Sequence, residues 1–426
     1  MKTLIKNGYI VEDNNELNQV DIWIEDKKVK AKGLFENEII NFDTVIDAKG
    51  GLITPGLVDV HVHFREPGFE YKETIETGSH SAAKGGFTTV CAMPNLNPVP
   101  DTKEKMAMVN QLIKKDSVVK IKQYAPITKE LKSDELVDFK ALKKENAFAF
   151  TNDGVGVQTA SVMYLAMKEA AKLKMAIVAH TEDESLLFGG VMHQGKTAEK
   201  LGLPGIMSAA ESSQIARDVL LAKETGAHYH VCHVSTKESV EVIRQAKKQG
   251  IHVTCEVCPH HLILNDGDIT KDHGSFKMNP PLRGTEDQQA LINGLLDGTI
   301  DCIATDHAPH SHEEKNQSML HSPFGIIGSE TAFQLMYTHF VKTKRFTLKQ
   351  VVDWMTKAPS EIFSLKTGTL NIGSYADIAI FDIENEITIK DSFASKSSNT
   401  PFIGERVIGE TLYTFVDGEI VWHKGE

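Results

Sequence analysis

Two imidazoles set two residues apart, His61 and His63, stand in Asp59-Val60-His61-Val62-His63, a mostly apolar run that reads as a β-strand. Side chains on a strand repeat every second residue on one face, so both rings project the same way and one strand offers two nitrogen donors to one cation. A pair of this kind standing alone is as readily a polar patch of core. This pair has company, because Asp153, His180, His233 and Asp306 also fall at or just past the ends of short apolar runs. Nitrogen and oxygen donors without thiolates suit zinc, with manganese or cobalt as substitutes, whereas the all-oxygen sites of magnesium and calcium would not use four imidazoles. Six donors are too many for one tetrahedral ion that keeps an open position. Two ions sharing a bridging carboxylate and a bridging hydroxide use them all and yield a nucleophile at neutral pH. Asp306 opens Ala304-Thr305-Asp306-His307-Ala308-Pro309-His310, where a carboxylate can ligate and also carry a proton from the hydroxide to a leaving nitrogen. A capping residue after a strand is the plainer role for it.

The elements that must position these groups alternate. Apolar runs at Leu57–His63, Phe87–Met93, Val118–Ala125, Ala147–Thr151, Met175–His180, His228–Val234, Ile251–Cys258 and Ile300–Asp306 are separated by amphipathic stretches. Thr159–Leu173, Glu211–Thr225 and Lys237–Gln249 read as helices, the last closed by Gly250. Eight such units predict an α/β fold, a closed (β/α)8 TIM-like barrel over residues 56–364; a doubly wound open sheet would alternate in the same way. In a barrel the candidate donors gather at the C-terminal rim, where barrel active sites sit. Thr3–Ile10, Asp21–Ile24, Val45–Asp47, Asp377–Phe381 and Thr414–Trp422 read instead as short strands at the two ends of the chain. Neither set buries a face alone, so residues 1–55 with 365–426 are expected to form one small composite β-sandwich.

Composition narrows the partners. Of 426 residues 41% are apolar and 24% charged, enough for a large core and against disorder. A formal charge of −12 with scattered basic residues excludes a nucleic-acid or anionic-membrane footprint, leaving small molecules as partners. No signal-like or membrane-length apolar run occurs, so a cytoplasmic protein is expected. Five cysteines give no disulfide framework, and Cys255 and Cys258, at redox-motif spacing but facing opposite sides of a strand, read as small buried residues.

Taken together, these residues resemble the amidohydrolase superfamily, and more closely the long-chain bacterial (class I) dihydroorotases. The likeness spans essentially the whole chain. It is carried by Asp59 to Gly68 (DVHVHFREPG) and Ala304 to Lys315 (ATDHAPHSHEEK), with support from Ala92-Met93-Pro94-Asn95, Thr151-Asn152-Asp153-Gly154, Lys277 to Arg283 and Pro323-Phe324-Gly325. The resemblance implies reversible cyclisation of N-carbamoyl-L-aspartate to L-dihydroorotate in pyrimidine synthesis, by a hydroxide bridging two zinc ions with Asp306 as general acid and base. It implies that His61 and His63 hold one zinc with Asp306, that His180 and His233 hold the other, and that Asp153 bridges. Many superfamily members bridge with a carboxylated lysine instead; none is expected here, because Lys143 and Lys144 precede the fourth strand. Arg65, Asn95 and His310 are implied to bind the substrate carboxylate, and Asn279 with the backbone of Phe324 and Gly325 to hold the ring, His63 facing substrate as well. Arg65 alone would read as a surface salt bridge and Asn279, beside two prolines, as a turn residue.

Competing expectations are a hydantoinase or allantoinase on the same scaffold, and a silent subunit serving as a scaffold for aspartate transcarbamoylase. A homodimer and association with that transcarbamoylase stand as partner expectations. The segment Ser311–Ser322 is expected as an exposed polar loop, with a mobile lid as the alternative.

Overall fold

The structure, a computed structural model, describes residues 2–35 and 41–425; of the expected terminal unit, residues 1, 36–40 and 426 lie outside the described residues. The β-α alternation closes into a barrel. Parallel strands Leu57–Val62, Phe87–Ala92 and Lys120–Gln123 form one arc. Ala176–Ala179, His228–Val231, Val253–Val257 and Cys302–Ile303 form the other. The expected fourth strand, Ala147–Thr151, is shorter. It joins the arcs through bridges of Phe150 to Ala125 and Ile177, and its Thr151 N–H donates to the Ala125 carbonyl. A bridge from Val62 to His307, with the His63 N–H on the His307 carbonyl at 2.8 Å, closes the ring and rules out an open sheet.

The first strand does not alternate plainly. Its register slips between Asp59 and Val62, so Val58 and Val60 pack with Cys91 and Val178, while Val62 packs in the larger cluster with Val90 and Ala92. Such a bulge re-aims side chains next to functional sites, and here it sits at His61. The helices fall where expected, as Ala160–Leu173, Ala209–Thr225 and Lys237–Lys248. Gly250 follows the last cap, Gln249, at φ +73°, the left-handed position that stops a helix.

The two ends of the chain do combine. Their strands form one continuous eight-stranded sheet, in which Lys2–Val11 pairs with Leu17–Glu25, Thr44–Asp47 and Leu52–Pro55, and Leu52–Pro55 pairs in turn with Ile378–Thr388. The layers anticipated as a sandwich are thus parts of one branched ladder wrapped around Ile5, Ile22, Ile53, Ile378, Ile380 and Phe415. Thr414–Trp422, read as a single strand, is a hairpin. Asp417 and Gly418 take φ +51° and +79°, and Val416 pairs with Glu419 across a two-residue turn.

The sheet is fastened to the barrel by Phe381, whose ring stacks on Phe333 at 3.9 Å between centroids and belongs to the barrel's main cluster. Gly86 makes that approach possible: at φ +87° a Cβ there would lie 2.5 Å from the Phe381 ring. Truncating a fully buried ring removes its transfer energy and leaves a cavity. Phe381→Ala is therefore expected to destabilise the protein by about 3–5 kcal/mol, read as a lowered urea midpoint at unchanged slope.

Candidate two-metal site

At the C-terminal rim of the barrel, the six candidate donors fall into two groups that share a meeting point. The ligand atoms of His61, His63 and Asp306 lie within 4.8 Å of one another, as do those of Asp153, His180 and His233. His61 Nε2 stands 3.4 Å from Asp153 Oδ1 and 3.3 Å from Asp306 Oδ1, and His63 Nε2 lies 3.1 Å from Asp306 Oδ1. On the other side, His180 Nδ1 and His233 Nε2 are 3.0 Å apart and each 3.8 Å from Asp153 Oδ1. Asp153 Oδ1 faces both groups. His61 Nε2 and Asp153 Oδ1 are buried without a hydrogen-bond partner, which is costly unless a cation completes them. Lys143 and Lys144 are exposed, and Lys143 Nζ donates to the Leu173 carbonyl, so the place between the two groups is held by aspartate. Cys232 lies beside His61 and Asp153, but burial keeps its thiol protonated.

Electrostatics prepares the cluster for cations. Burial alone would raise Asp153 and Asp306, yet the neighbouring imidazoles, His61 foremost, outweigh it and hold both carboxyls below their usual range. Burial and the nearby His180 and His61 push His233 down to about 3, and burial also lowers His63. His61 and His180 move the other way. Burial opposes their protonation, but Asp153 and Asp306 around His61, and Glu182 beside His180, override it.

The remaining expected site residues, Arg65, Asn95, Asn279, His310, Phe324 and Gly325, line one cavity of about 180 Å³ together with His63, Asp153, His180, His233 and Asp306. Arg65 donates through Nε to the Pro309 carbonyl at 3.2 Å and sets Nη2 3.3 Å from His310 Nε2. The Asn95 amide gives one N–H to the Asp153 carbonyl at 2.6 Å, leaving the other to face the cavity. Asn279 donates to Glu182 Oε2 at 2.6 Å, which turns its carbonyl oxygen free. Gly325 sits at φ +128°, where a Cβ would meet Ala308 Cβ at 2.7 Å and His310 Nε2 at 3.1 Å. Arg65, His233 and Asp306 also hold positive φ, at +59°, +30° and +50°. Strained backbone of this kind concentrates at functional sites.

Three buried carboxylates escaped the sequence reading. Glu256 accepts from His61 Nδ1 at 2.6 Å and His230 Nε2 at 3.1 Å, and those rings, overriding burial, hold it at about 2. It fixes which nitrogen of His61 faces the cluster. Asp59 accepts from the backbone N–H groups of His61 and Thr305 and from the Thr305 hydroxyl, yet burial keeps it near 6. Glu182 orients Asn279. A charged residue inside an apolar strand was the available signal for the first two, and the His180-x-Glu182 spacing, a repeat of the His61-x-His63 spacing, for the third. The Ser311–Ser322 segment is not a free loop. Lys315 is 4% exposed and donates to the Lys277, Pro323 and Gly325 carbonyls, while Met319 is fully buried.

A parallel barrel with a two-metal site between its strand ends, flanked by a sheet from both termini, defines the class: a metal-dependent amidohydrolase. A family model described as dihydro-orotase-like matches residues 50–239. The chain is 68% identical over 423 residues to the dihydroorotase of Enterococcus faecalis, covering 99% of each, and 60% identical over 429 residues to that of Ligilactobacillus salivarius, covering all of each. Its fold is similar to the L-hydantoinase (dihydropyrimidinase) of Arthrobacter aurescens, with a TM-score of 0.88 at 28% identity over all of this chain and 96% of that one. The chain belongs to the dihydroorotase family.

The protonation pattern fixes a pH dependence for metal loading. In the metal-free protein His61 and His180 are the groups whose pKa is raised, so protons on them compete with the cation, whereas His63, His233 and both aspartates are already in ligating form. Zinc affinity of the stripped protein should weaken as pH falls through neutrality, at least about tenfold per unit and approaching a hundredfold once both rings hold protons. Competition with a chromophoric chelator measures this, and a flat profile would contradict the assignment.

Proposed function

We propose that the chain interconverts N-carbamoyl-L-aspartate and L-dihydroorotate with two zinc ions, His61, His63 and Asp306 holding one, His180 and His233 the other, and Asp153 bridging in place of a carboxylated lysine. The observation that carries this reading is Asp153 facing both donor groups in a cavity that is also lined by a fixed guanidinium, that of Arg65. Two zinc ions bound there supply hydroxide at neutral pH and Lewis acidity toward the amide carbonyl. Asp306, kept ionised by His61, His63 and His233, takes up a proton in ring opening and returns it to the departing ring nitrogen; in ring closure it moves the proton the other way. Arg65, Asn95 and His310 hold the carboxylate outside the scissile amide, so that the amide meets the metal end in a fixed orientation. Asn279 offers its carbonyl to a ring or ureido N–H, and the backbone of Phe324 and Gly325 lines the opposite edge.

The family's 68% relative and the placement of Arg65 and His310 favour this substrate over hydantoin or allantoin, although the fold is shared with a hydantoinase. A cytoplasmic setting fits five buried free cysteines. Among the described residues no helix is long and apolar enough to cross a membrane. A division into a barrel over residues 56–364 and a sheet unit from residues 1–55 with 365–426 is supported by the separate cluster of Ile5, Ile22, Ile53, Leu370, Ile378 and Phe415, while Leu52, Ala379, Phe381 and Ile383 pack across that boundary into the barrel's cluster.

Stripping the metal, restoring zinc and assaying dihydroorotate, hydantoin and allantoin tests the reading. Turnover is expected with dihydroorotate only, to fall about 10²–10⁴-fold in Asp306→Asn and to vanish with the bound metal in His61→Ala. Equal hydantoin turnover would overturn the substrate assignment. Full metal without turnover by the isolated chain would point instead to a scaffold subunit.

A further inference from the structure

We propose that Lys72 is a positioning residue for the substrate carboxylate, acting through His310: its ammonium holds the imidazole as the Nε2–H tautomer, so that a donor rather than a lone pair stands beside Arg65. The proposal deepens the dihydroorotate reading of the site and rests on it for the identity of the anion. Lys72 lies between the first barrel strand and the helix Ile75–Lys84, outside the motifs that flagged the site. Its side chain is only 13% exposed. Nζ stands 3.1 Å from His310 Nδ1 and 3.0 Å from Glu314 Oε1, with the Tyr71 and Phe69 rings at 5.4 and 5.8 Å.

An ammonium has donors and no acceptor, so His310 Nδ1 must offer its lone pair. An imidazolium is excluded on charge as well as geometry. Arg65 Nη2 is 3.3 Å from Nε2, Lys72 is on the other nitrogen, and the buried Lys315 adds a third cation; burial and these three together lower the His310 pKa. The one carboxylate facing the ring, Glu314, has Oε2 3.7 Å from Nδ1, but its other oxygen is engaged by Lys72 and the Tyr71 hydroxyl. Cationic donors thus face both ring nitrogens, Lys72 at 3.1 Å from Nδ1 and Arg65 at 3.3 Å from Nε2, and the Phe324 carbonyl, 2.8 Å from Nε2 at the cavity wall, joins the closer contact of Lys72 in placing the neutral ring's proton on Nε2. A carboxylate oxygen entering beside Arg65 shares that N–H with the Phe324 carbonyl. Remove Lys72, and Nδ1 loses its donor while Glu314 Oε2, which also accepts the Ser311 N–H at 3.0 Å, becomes the acceptor nearest an Nδ1–H and Arg65 Nη2 remains as a donor to an Nε2 lone pair. The favoured tautomer then reverses, and an Nε2 lone pair faces the anion.

The test reads the tautomer and the kinetics separately. In two-bond ¹⁵N–¹H correlation spectra of histidine-labelled zinc enzyme, with His310→Asn to assign the resonance, the unaltered protein should show His310 as Nε2–H. Lys72→Met should move it to Nδ1–H, and Lys72→Arg, which keeps a donor, should restore it. In the same Lys72→Met protein KM for dihydroorotate should rise about tenfold, the scale of one charge-assisted hydrogen bond, and KM for its methyl ester by less than about twofold. A His310 that is Nδ1–H in the unaltered protein would overturn the proposal, and so would equal rises for acid and ester. That first spectrum needs neither a variant nor substrate, so it decides about Lys72 even if dihydroorotate proves not to be turned over, an outcome that would fall on the function instead.

Discussion

Two carboxylates and four imidazoles share a volume from which water is largely excluded, and their mutual charge is the constraint on which the rest of the structure turns. A buried carboxylate is costly unless it is paired. Asp153 and Asp306 stay ionised because His61, His63, His180 and His233 surround them, and His61 accepts a proton because those carboxylates are there, His180 because Glu182 is beside it. The arrangement is balanced without metal only by holding protons. Cations in their place remove that need and satisfy His61 Nε2 and Asp153 Oδ1, which otherwise lack hydrogen bonds. The site is in this sense built for exchange between protons and metal.

Holding six such groups to a few tenths of an ångström falls to a polar frame behind them, since apolar packing fixes position without fixing which ring nitrogen points where. Glu256 takes the far nitrogen of His61, Asp59 ties His61 to Thr305 just before Asp306, and Asn152 accepts from the Ile127 and Thr128 N–H groups just before Asp153. Each clamp joins two different strand ends. A barrel in which donors come from five places in the sequence needs such cross-links at its rim, because the ladder hydrogen bonds beneath set only the height of each strand. The positive φ at His233 and Asp306 marks where the chain leaves the strand direction to aim its side chain inward.

Much of this was legible in the sequence where one signal sufficed. The barrel followed from alternation, because a strand buried on both faces and an amphipathic helix leave different periodicities. The donors followed from ligand-type residues recurring at run ends. What stayed hidden depends on partners remote in sequence. Phe150 pairs with both neighbours in only a short ladder, so the fourth strand's length could not be read from its composition. Leu52–Pro55 and Lys28–Gly33 joined the terminal sheet unanticipated, since the first is only four residues ending in proline and the second is half lysine, and their strand character comes from the neighbours they pair with. Asp417-Gly418 is a hairpin signal inside an apolar run, and the pairing of Val416 with Glu419 shows that the local turn outweighed the run. Glu182, Glu256 and Lys72 look like ordinary charged residues until the fold sets an imidazole or amide against each.

The sheet made from the chain ends bears on the same site. The stretch between its strands Ile378–Thr388 and Arg406–Val416 runs back along the barrel rim, where Asn399 donates to the Ala308 and Gly325 carbonyls at 3.1 Å and accepts from the His310 backbone N–H at 3.2 Å. Nearby, Ser395 and the Lys396 N–H hold Glu73, the residue after Lys72. The carboxylate end of the cavity is thus pinned from the C-terminal portion of the chain, while the metal end is pinned within the barrel. A hydantoinase shares the fold at a TM-score of 0.88 with only 28% identity, so the barrel and sheet tolerate wide change in sequence. Under the proposed function, distinguishing a substrate that carries an extra carboxylate would fall to the few side chains near Arg65 and His310, and the backbone beside His310 is held by a segment that contributes no candidate ligand. Substitutions at Asn399 should alter selectivity between acidic and neutral cyclic amides more than metal binding, because Asn399 bonds to the backbone of Ala308, His310 and Gly325 and to none of the six cluster residues.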